Sequence, residues 1–402
     1  MAIFCVILIS FLATEVSFDA TAEYLIASEE AKRVQAYYAA KSGVKLSLLR
    51  INLYQEVKST MGEMAKQAGQ EGLLEMVWQM PFYWPPSALL PEEVSRVDRE
   101  LISEVEGESL MEGRYRADIT SEAAKLDLND LVSPSKSLAE ITRKQLIRLL
   151  ENKLNADDDW AREYRGLRAE EIVNNIIDWM DADSDGRNSG DEKQPYAELQ
   201  AGDAIPPNQP LKTLEELHMI EGVTDEIYAY LSPLVTVYGV KGVQVNRAPA
   251  DILRSIDPQI TDEAAKAIIK RRDDKQLGGP FKDEKDFLAF ISGPEVGINT
   301  ASFNQDKVPL IFDNEFSFRI RSSGEAGSSS KPTTREIIAI VYDFDKVKER
   351  LGKIVAEDKA KDNPNPSPSP SPGPGGPGPS PSPSPAPAGS KNPPSIVYWV
   401  EY

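Results

Sequence analysis

An acidic loop near the middle of the chain has the residue types and the spacing of a calcium site. Asp181, Asp183, Asp185, Gly186 and Glu192 match the pattern D-x-D-x-D-G-x5-E of an EF-hand loop. Calcium prefers about six to eight oxygen ligands, and aspartates at alternate positions of a tight loop can point inward together. Without a cation these carboxylates repel one another, so the pattern favours bound Ca²⁺ over a solvated acidic turn.

Other residues of the same segment extend the predicted ligand set. The main-chain carbonyl of Arg187 would supply one oxygen, and Glu192 can bind through both of its carboxylate oxygens. Asp178 and Asp191 are lesser candidates, which could serve a second ion. We therefore predict a structural calcium site between residues 178 and 192.

Two departures separate this loop from a complete EF-hand. Asn188 stands at the eighth position, where an EF-hand carries an aliphatic residue that pairs two loops. The sequence Gln194-Pro195-Tyr196 follows the loop, and a proline there disfavours a regular exiting helix. The segment is therefore interpreted as an EF-like calcium loop and not as an EF-hand.

The composition excludes most catalytic chemistry. The chain of 402 residues contains one histidine, His218, and one cysteine, Cys5, so it can form no internal disulfide and no Cys/His zinc site. The sequence contains no GxSxG, GxxxxGK[ST] or HExxH motif, and no pair of carboxylates stands out for acid–base work. We therefore predict that the protein is not an enzyme and that His218 is structural.

The charge balance argues against nucleic-acid binding. The chain has 45 Lys and Arg against 64 Asp and Glu, a formal net charge of −19. Residues 219–231 have the outline of a helix-hairpin-helix module, whose glycine turn approaches phosphate. Here Glu221, Asp225 and Glu226 surround Gly222 and would repel a phosphate group. We therefore expect no nucleic-acid partner.

The N-terminal segment predicts one long helix that begins apolar and becomes amphipathic. Residues 1–13, MAIFCVILISFLA, are almost entirely apolar, and residues 14–54 contain no proline and one glycine. Apolar residues then recur at steps of three and four, which places them on one helix face: Val34, Tyr37, Ala40, Val44, Leu48 and Ile51. The helix is expected to end near residue 55. A buried helix of a soluble domain is the alternative to a membrane anchor, in which the charges from Glu15 onward lie at or beyond the interface.

The rest of the chain predicts strands on both sides of a block of helices. Residues 60–110 are expected to form an irregular crossing segment. Residues 114–119 alternate with strand period, and a second short strand is expected at 126–128. Amphipathic helices follow up to residue 291, and residues 315–345 indicate a hairpin. The final residues, SIVYWVEY, need a sheet to join, and the hairpin is the simplest partner.

The predicted fold class is therefore α+β: a domain with a long N-terminal helix and a small antiparallel sheet, interrupted by an inserted all-α domain. Residues 362–394 contain 14 prolines and are expected to be an enlarged, solvated loop. The predicted segments are the membrane or filament helix at 1–58, the first part of the α/β domain at 59–134, the inserted helical domain with the calcium loop at 135–300, the second part of the sheet at 301–361, the Pro-rich loop at 362–394 and the final strand at 395–402.

Several segments of the sequence resemble one family across nearly the whole chain outside the Pro-rich loop. They are QAYYAAKSGVKLSL, RYRADITSEAAKLDLNDL, NNIIDWMDADSDGRNSGDE, LEELHMIEGVTDEIYAYLSPLVTVYG, VQVNRAPADILRSI and IVYWVEY. The most specific are the NxAPADxL pattern that starts at Asn246 and the DWxDAD pattern that starts at Asp178. The chain resembles protein K of the type II secretion system, the large minor pseudopilin of the GspK family.

The resemblance implies a structure and a site. Members of this family have a pilin-like α/β domain with a long N-terminal helix and an inserted helical domain. They bind calcium in the region that matches Asp181 to Glu192. Both implications agree with what the residue patterns predict independently.

The resemblance also implies a place of action. Family members lie at the tip of the pseudopilus with the I and J minor pseudopilins, above the major pseudopilin, and serve the export of folded proteins. An inner-membrane platform assembles them, and a prepilin peptidase cleaves after a glycine and methylates the new N-terminus. The expected location is the inner membrane, single-pass, with the bulk of the chain in the periplasm.

Two other functions remain open at this stage. The helical domain could be a calcium-dependent periplasmic binding module that contacts secreted proteins or the outer-membrane channel. Alternatively, the chain could be a minor pilin of a related type IV filament. Neither alternative involves catalysis.

Overall fold

The structure, a computed structural model, describes residues 2–67, 71–89, 96–188, 190–199, 205–312, 317–328, 330–362 and 395–402. The chain divides into two compact units. The first unit comprises Met1–Thr120, Phe318–Val341 and Ile396–Tyr402, and the second comprises Ser121–Ser317 and Tyr342–Ser395. The chain therefore leaves the first unit twice and returns to it twice. The predicted fold class, α+β with an inserted helical region, is confirmed.

Helices dominate the described residues. The α-helices are α1 (Ala2–Gln67), α2 (Glu71–Gln79), α3 (Arg96–Glu108), α4 (Lys136–Ala156), α5 (Asp158–Glu163), α6 (Ala169–Met180), α7 (Asp225–Leu231), α8 (Ala250–Ile256), α9 (Asp262–Asp273), α10 (Glu284–Ile291) and α11 (Phe344–Asp362). The strands are β1 (Phe82–Trp84), β2 (Arg114–Ser121), β3 (Leu126–Asp127), β4 (Val235–Thr236), β5 (Val243–Gln244), β6 (Leu310–Ile311), β7 (Ser317–Ala326), β8 (Thr333–Tyr342) and β9 (Ser395–Glu401).

The first unit is built on α1 and one sheet. The strand order is β1-β2-β7-β8-β9, so the final strand joins the sheet beside the β7–β8 hairpin, as predicted. Glu336 and Tyr402 exchange two backbone hydrogen bonds of 3.1 and 2.9 Å, the pattern of an antiparallel pair. The helix continues to residue 67, beyond the predicted end near 55, because residues 56–67 are mostly good helix formers.

Only the second half of α1 is packed. Ala36, Ala40, Val44, Ile51 and Tyr54 are buried at 0–1% exposure against the sheet. The predicted apolar face of the helix is therefore the face that meets the unit. In contrast, the apolar residues between positions 3 and 26 are largely exposed.

A close backbone approach fixes how β7 crosses α1. A Cβ atom on Gly324 would lie 2.0 Å from the carbonyl oxygen of Ala36, and one on Gly43 would lie 2.2 Å from Oγ of Ser322. At Gly324 the neighbouring atoms are backbone, so no side chain fits without moving the strand or the helix, whereas at Gly43 the side chains of Ser322 and Tyr115 would have to shift. Glycine at both positions therefore sets the distance between helix and sheet.

Three sequence predictions are wrong in detail. Residues 60–110 are not simply irregular, because they contain α2, the edge strand β1 and α3; β1 pairs antiparallel with β2 immediately before Pro85 and Pro86 interrupt the strand. The short strand predicted at 126–128 is present as β3, but it does not pair with β2 across a turn at residues 121–124; it pairs parallel with β4 in a separate two-stranded sheet. Residues 344–362, assigned to the sheet, form α11. Of the predicted Pro-rich loop, Asp362 is the last residue of α11, and residues 363–394 lie outside the described residues.

The second unit is a helical bundle with a continuous apolar core. The helix α4 packs against α6 and α8, and the core side chains Leu146, Leu149, Ile176, Leu253 and Ile268 are fully buried. The predicted insertion covered residues 135–300, while the observed unit runs from 121 to 317 and includes 342–395. Its packed core positions the acidic loop, which follows α6 directly.

A buried lysine triad, Lys241 with Asp127 and Asp130, lies in the second unit. The Nζ atom of Lys241 is 2.7 Å from Oδ2 of Asp127 and 2.6 Å from Oδ1 of Asp130, and the side chains are 14%, 3% and 4% exposed. Burial and the neighbouring Asp127 charge raise the pKa of Asp130 to about 8. Burial alone would lower the pKa of Lys241, but the two carboxylates raise it. The lysine is therefore held as a cation.

Candidate metal centre

The acidic loop is anchored by the last turn of α6. The apolar face of this helix, including Ile172, Val173 and Ile176, is buried in the core. Asp181 caps the helix C-terminus, and its backbone N–H donates to the carbonyl of Ile177 at 2.8 Å. Asp178 lies one turn earlier, so the helix fixes the direction of its side chain.

Three of the predicted ligands come together. Asp178, Asp181 and Glu192 each offer one carboxylate oxygen, and these three oxygens lie within 4.8 Å of one another. Asp178 is 7% exposed and Glu192 is 5% exposed. Three acids so close together, two of them buried, form an oxygen-rich centre of the kind that a hard cation prefers.

The acceptors in this cluster are unsatisfied. Oδ1 of Asp178, Oδ1 of Asp181, Oε1 of Glu192 and Oδ1 of Asn208 are buried and accept no hydrogen bond. Leaving a buried acceptor unsatisfied costs about 1–3 kcal/mol each, and more for a charged group. A water molecule can donate to only two of these four oxygens, whereas one hard cation can be bound by all of them, so the set favours a cation.

The site also has room for an ion. A cavity of about 50 Å³ borders the loop, and its lining includes Asp178, Asp191 and Glu192. That volume exceeds the roughly 10–15 Å³ needed to hold one water molecule. The residues present therefore fit a calcium ion in charge, donor type and space.

Asn208 is a candidate ligand that sequence reasoning missed. Its Nδ2 donates to the main-chain carbonyl of Asp183 and, at 3.4 Å, to Oε2 of Glu192. With both contacts made by the amide nitrogen, Oδ1 remains as a free acceptor beside the cluster. No loop motif includes Asn208, because tertiary folding and not sequence spacing brings it to the site.

Asp183 and Asp185 lie outside the three-carboxylate cluster. Both are exposed, and Oδ1 of Asp183 accepts the backbone N–H of Asp185 at 3.0 Å. Asp185 forms an isolated antiparallel bridge with Asp191, whose Oδ1 accepts the backbone N–H of Lys193 at 2.9 Å. Their role as ligands stays a prediction from the EF-like spacing.

The side chain of Arg187 places a positive charge beside two carboxylates of the cluster, whereas the EF-like pattern predicted only its main-chain carbonyl as a ligand. Its guanidinium lies 3.0 Å from Oδ2 of Asp181 and 3.4 Å from Oδ1 of Asp178. Its backbone N–H donates to Oδ2 of Asp178 at 2.9 Å. The arginine thus orders two of the carboxylates, while coordination through its carbonyl stays a prediction.

Asn188 explains the departure from the EF-hand pattern at position eight. Its Nδ2 donates to the carbonyl of Glu171 at 2.8 Å and to Oδ1 of Asn175 at 2.7 Å, and its Oδ1 accepts from Asn174 at 2.8 Å. An aliphatic side chain could make none of these bonds. The loop is therefore tied to its own helix α6 and not to a second EF-like loop. After it, residues 194–199 form a 3₁₀ helix, so the chain lacks an α-helix at the expected EF-hand exit.

The electrostatics of the cluster favour neutralisation. Burial, followed by the charges of Asp181, Asp178 and Asp183, raises the pKa of Glu192 to about 7. Burial is also the main cause that raises the pKa of Asp178. Both raised pKa values indicate that ionising these carboxyl groups in the folded protein costs free energy when no cation compensates their charge.

The cost of ionising the cluster predicts that, in chelator, one component of the free energy of unfolding decreases as pH rises. The pKa of Glu192 is about 7 in the folded state against an ordinary 4.5, so between these values the folded protein binds more protons than the unfolded chain. The free energy of unfolding in chelator is therefore expected to gain a component that decreases as pH rises from about 5 to about 8. Urea unfolding at several pH values measures it.

Glu192→Gln is the matched control, because it removes the titrating group and keeps the shape. In chelator the variant is expected to lose less stability than the wild type over the same pH interval. Equal slopes for the two proteins would contradict the assignment of the shift to Glu192.

Comparison with known families places both matching regions in the second unit. Two family models match the chain, at residues 124–240 and 243–306, and both are described as type II secretion system protein K. The first of them contains the whole acidic loop. No curated protein matches the chain at significant similarity.

The fold also resembles a solved structure. A chain of the GspK-GspI-GspJ complex from the enterotoxigenic Escherichia coli type 2 secretion system matches with a TM-score of 0.52 and 18% sequence identity. The match covers 80% of this chain and 95% of that chain. At this identity the likeness establishes a shared fold.

Proposed function

The chain belongs to the protein K family of the type II secretion system, and on that premise we propose that it initiates and caps the periplasmic pseudopilus as a minor pseudopilin. In this role it works by assembly, with no catalytic step. The pseudopilus tip that it forms serves the export of folded proteins across the outer membrane.

The main support for the proposal is that helix α1 has an exposed apolar first part and a second part that packs in the first unit. Among the described residues one helix, Ala2–Thr60, is long and apolar enough to cross a membrane by length and composition, with mean hydropathy 1.9 in its most apolar window and none of that window buried. The second half of the same helix is packed into the first unit. One rigid helix can therefore hold the chain in the inner membrane and later pack in a filament, with the two units on the periplasmic side.

The partners follow from the fold relative. That relative forms a complex with GspI and GspJ. We infer I- and J-type minor pseudopilins as the direct partners of this chain. The major pseudopilin would continue the filament below them, and the inner-membrane platform would assemble it. Cleavage by a prepilin peptidase and methylation of the new N-terminus belong to the same proposal.

Calcium has a structural role in this proposal. Asp178, Asp181 and Glu192, with Asn208 beside them, would hold the ion, which supplies the charge that the buried oxygens lack. The residues of the loop then stay ordered at the end of α6. The favourable environment for this site is the periplasm, where calcium is more available than in the cytoplasm.

Deletion of residues 2–20 tests the proposal. We expect the deletion to abolish type II secretion, because the chain loses its membrane anchor, whereas the full chain is expected to co-purify with the I- and J-type minor pseudopilins. A variant with Lys212→Ala, an exposed change in the second unit, is the control for expression and handling. Normal secretion by the deletion variant would contradict the proposal.

A second candidate function rests on the acidic cluster. A calcium-dependent binding module would use the second unit to contact secreted proteins or the outer-membrane channel. It predicts calcium-dependent capture of such a protein by the second unit even in the deletion variant. A minor pilin of a related type IV filament is the remaining alternative, and it predicts co-purification with pilins of that filament instead.

A further inference from the structure

Each carboxylate of the three-acid cluster has one oxygen that the chain itself holds. Oδ2 of Asp178 accepts the backbone N–H of Arg187 at 2.9 Å, and Oδ2 of Asp181 accepts Nη2 of Arg187 at 3.0 Å. Oε2 of Glu192 accepts Nδ2 of Asn208 at 3.4 Å. The second oxygen of each acid is buried and accepts no hydrogen bond from any residue that the structure describes. Two of the three held oxygens therefore depend on Arg187.

The guanidinium of Arg187 also lies beside an oxygen that would bind the ion. Its Nε atom is 3.4 Å from Oδ1 of Asp178, one of the oxygens that accept no hydrogen bond. An ion on this oxygen and the guanidinium would share one carboxylate. Since both are positive, they would repel each other across a short distance.

The guanidinium changes the charge of the cluster. The three carboxylates carry −3 when they are ionised, and Arg187 reduces the net charge to −2, which one divalent ion neutralises. When no ion is bound, the same positive charge offsets part of the repulsion among the carboxylates. In that state Arg187 does part of what the ion does.

Two effects of the Arg187 side chain on ion binding are opposed. Its hydrogen bond to Asp181 orders one carboxylate, which favours binding. Its charge repels the ion, which disfavours binding. The side chains of Asp178 and Asp181 are only 10% and 15% exposed, so water screens this repulsion less than it does at the surface. The ordering of Asp178 is largely independent of the side chain, because the backbone N–H of Arg187 holds it. Repulsion is therefore the larger effect.

We propose that Arg187 is a built-in counter-cation of the calcium centre, which holds the carboxylates together when no ion is bound and lowers the affinity of the centre for calcium. The inference rests on the calcium role within the proposed function and names the residue that sets the affinity. The loop at the end of α6 can then fold before the chain reaches the calcium of the periplasm.

Arg187→Met separates the two effects, because it removes the charge and retains an unbranched side chain. The chelator-treated full chain in detergent micelles is titrated with Ca²⁺ in a calorimeter. The variant is expected to bind calcium about tenfold more tightly than the wild type, because the repulsion is lost. In chelator its thermal unfolding temperature is expected to be lower than that of the wild type. A side chain that only ordered the loop would weaken calcium binding when removed.

Two other variants are the controls. Arg187→Lys keeps the positive charge and is expected to bind calcium within about threefold of the wild type. Arg168→Met makes the same chemical change at an arginine that is 75% exposed and pairs with Glu171, outside the cluster. Because solvent screens that pair, the affinity for calcium is expected to change less than about twofold.

The outcomes separate the inference from the calcium site. If the wild type binds calcium and Arg187→Met binds it equally or more weakly, the inference fails while the calcium site stands. Equal unfolding temperatures of the two proteins in chelator, or binding by Arg187→Lys as tight as by Arg187→Met, would also overturn the inference.

Two further results are decisive. If circular dichroism shows that Arg187→Met is unfolded in chelator, refolding on addition of Ca²⁺ supports the inference, and a failure to refold overturns it. If the wild type binds no calcium, the calcium role in the proposed function fails, and the inference fails with it. The secretion assay with the deletion of residues 2–20 tests the pseudopilin role separately.

Discussion

Calcium is expected to raise the unfolding free energy of the second unit by about 2.7 kcal/mol when the free ion exceeds its dissociation constant 100-fold. The physical reason is the set of buried oxygens on Asp178, Asp181, Glu192 and Asn208, which accept no hydrogen bond. An ion bound only by the folded state stabilises it by mass action. Thermal unfolding in millimolar Ca²⁺ and in chelator measures the difference.

The variants distinguish the clustered carboxylates from the rest of the EF-like pattern. Asp181→Asn with Glu192→Gln is expected to abolish the calcium response, because it removes two of the three charges that converge. Asp185→Asn tests whether the exposed loop position is also a ligand. Asp159→Asn, at an exposed position on α5, is the matched control and is expected to keep the full response.

An unchanged unfolding temperature on chelation of the wild type would remove the calcium assignment altogether. A response retained by the Asp181→Asn, Glu192→Gln variant but lost in Asp185→Asn would instead move the ion to the exposed part of the loop. Either result is decided by the same unfolding experiment, so the claim about the residues and the claim about the ion are tested together.

The sequence predicted those parts of the fold that follow a simple period. Val44 and Ile51 at helical spacing marked the buried face of α1, and the alternation around Tyr115 marked β2. The final strand was predictable because an isolated apolar strand requires an open sheet edge. These inferences needed only local patterns and the rule that apolar faces become buried.

Other features depend on contacts between distant residues. Helix α11 does carry a periodic signal, with Val347, Leu351 and Ile354 at steps of four and three, but its high charge and its position after a hairpin obscured it. No periodic pattern or motif in the sequence marks Asn208, whose Oδ1 accepts no hydrogen bond, because Asn208 lies outside the loop motif and comes close to it only in the folded chain. In the acidic loop, spacing identified the acids, whereas the path of the backbone decided which of them converge.

Replacement of Lys241 by methionine is expected to reduce the free energy of unfolding by about 3–5 kcal/mol. The lysine is the only cation within reach of two buried carboxylates among the contacts that the structure describes, at 2.7 and 2.6 Å. Its removal leaves Asp127 and Asp130 without their counter-charge at 3% and 4% exposure. Urea unfolding at pH 9, above the raised pKa of Asp130, measures the loss with both carboxylates ionised.

The more exposed ion pair between Lys144 and Asp306 serves as a comparison for the buried pairs of Lys241. Lys144 is 43% exposed and lies 2.9 Å from Asp306, which Arg148 also contacts. Lys144→Met makes the same chemical change in the same unit, yet it is expected to cost less than about 1 kcal/mol, because solvent screens the pair. The two losses therefore compare a buried acid pair that loses its cation with an exposed pair whose acid keeps Arg148 as a partner.

The lysine triad joins parts of the second unit that are distant in the sequence. Lys241 lies between the two regions of family similarity, and the hydroxyl of Tyr342 donates to the carbonyl of Gly239, two residues earlier. Asp127 also accepts the backbone N–H of Asn129 at 3.1 Å and so caps the following 3₁₀ helix, and its ion pair with Lys241 joins this helix to residues 239–241. Adding Asp127→Asn and Asp130→Asn to Lys241→Met removes the unpaired charges and retains a side chain that can cap. This triple variant is expected to be more stable than Lys241→Met alone; if it is less stable, the loss came from the packing of the lysine stem and not from the stranded carboxylates.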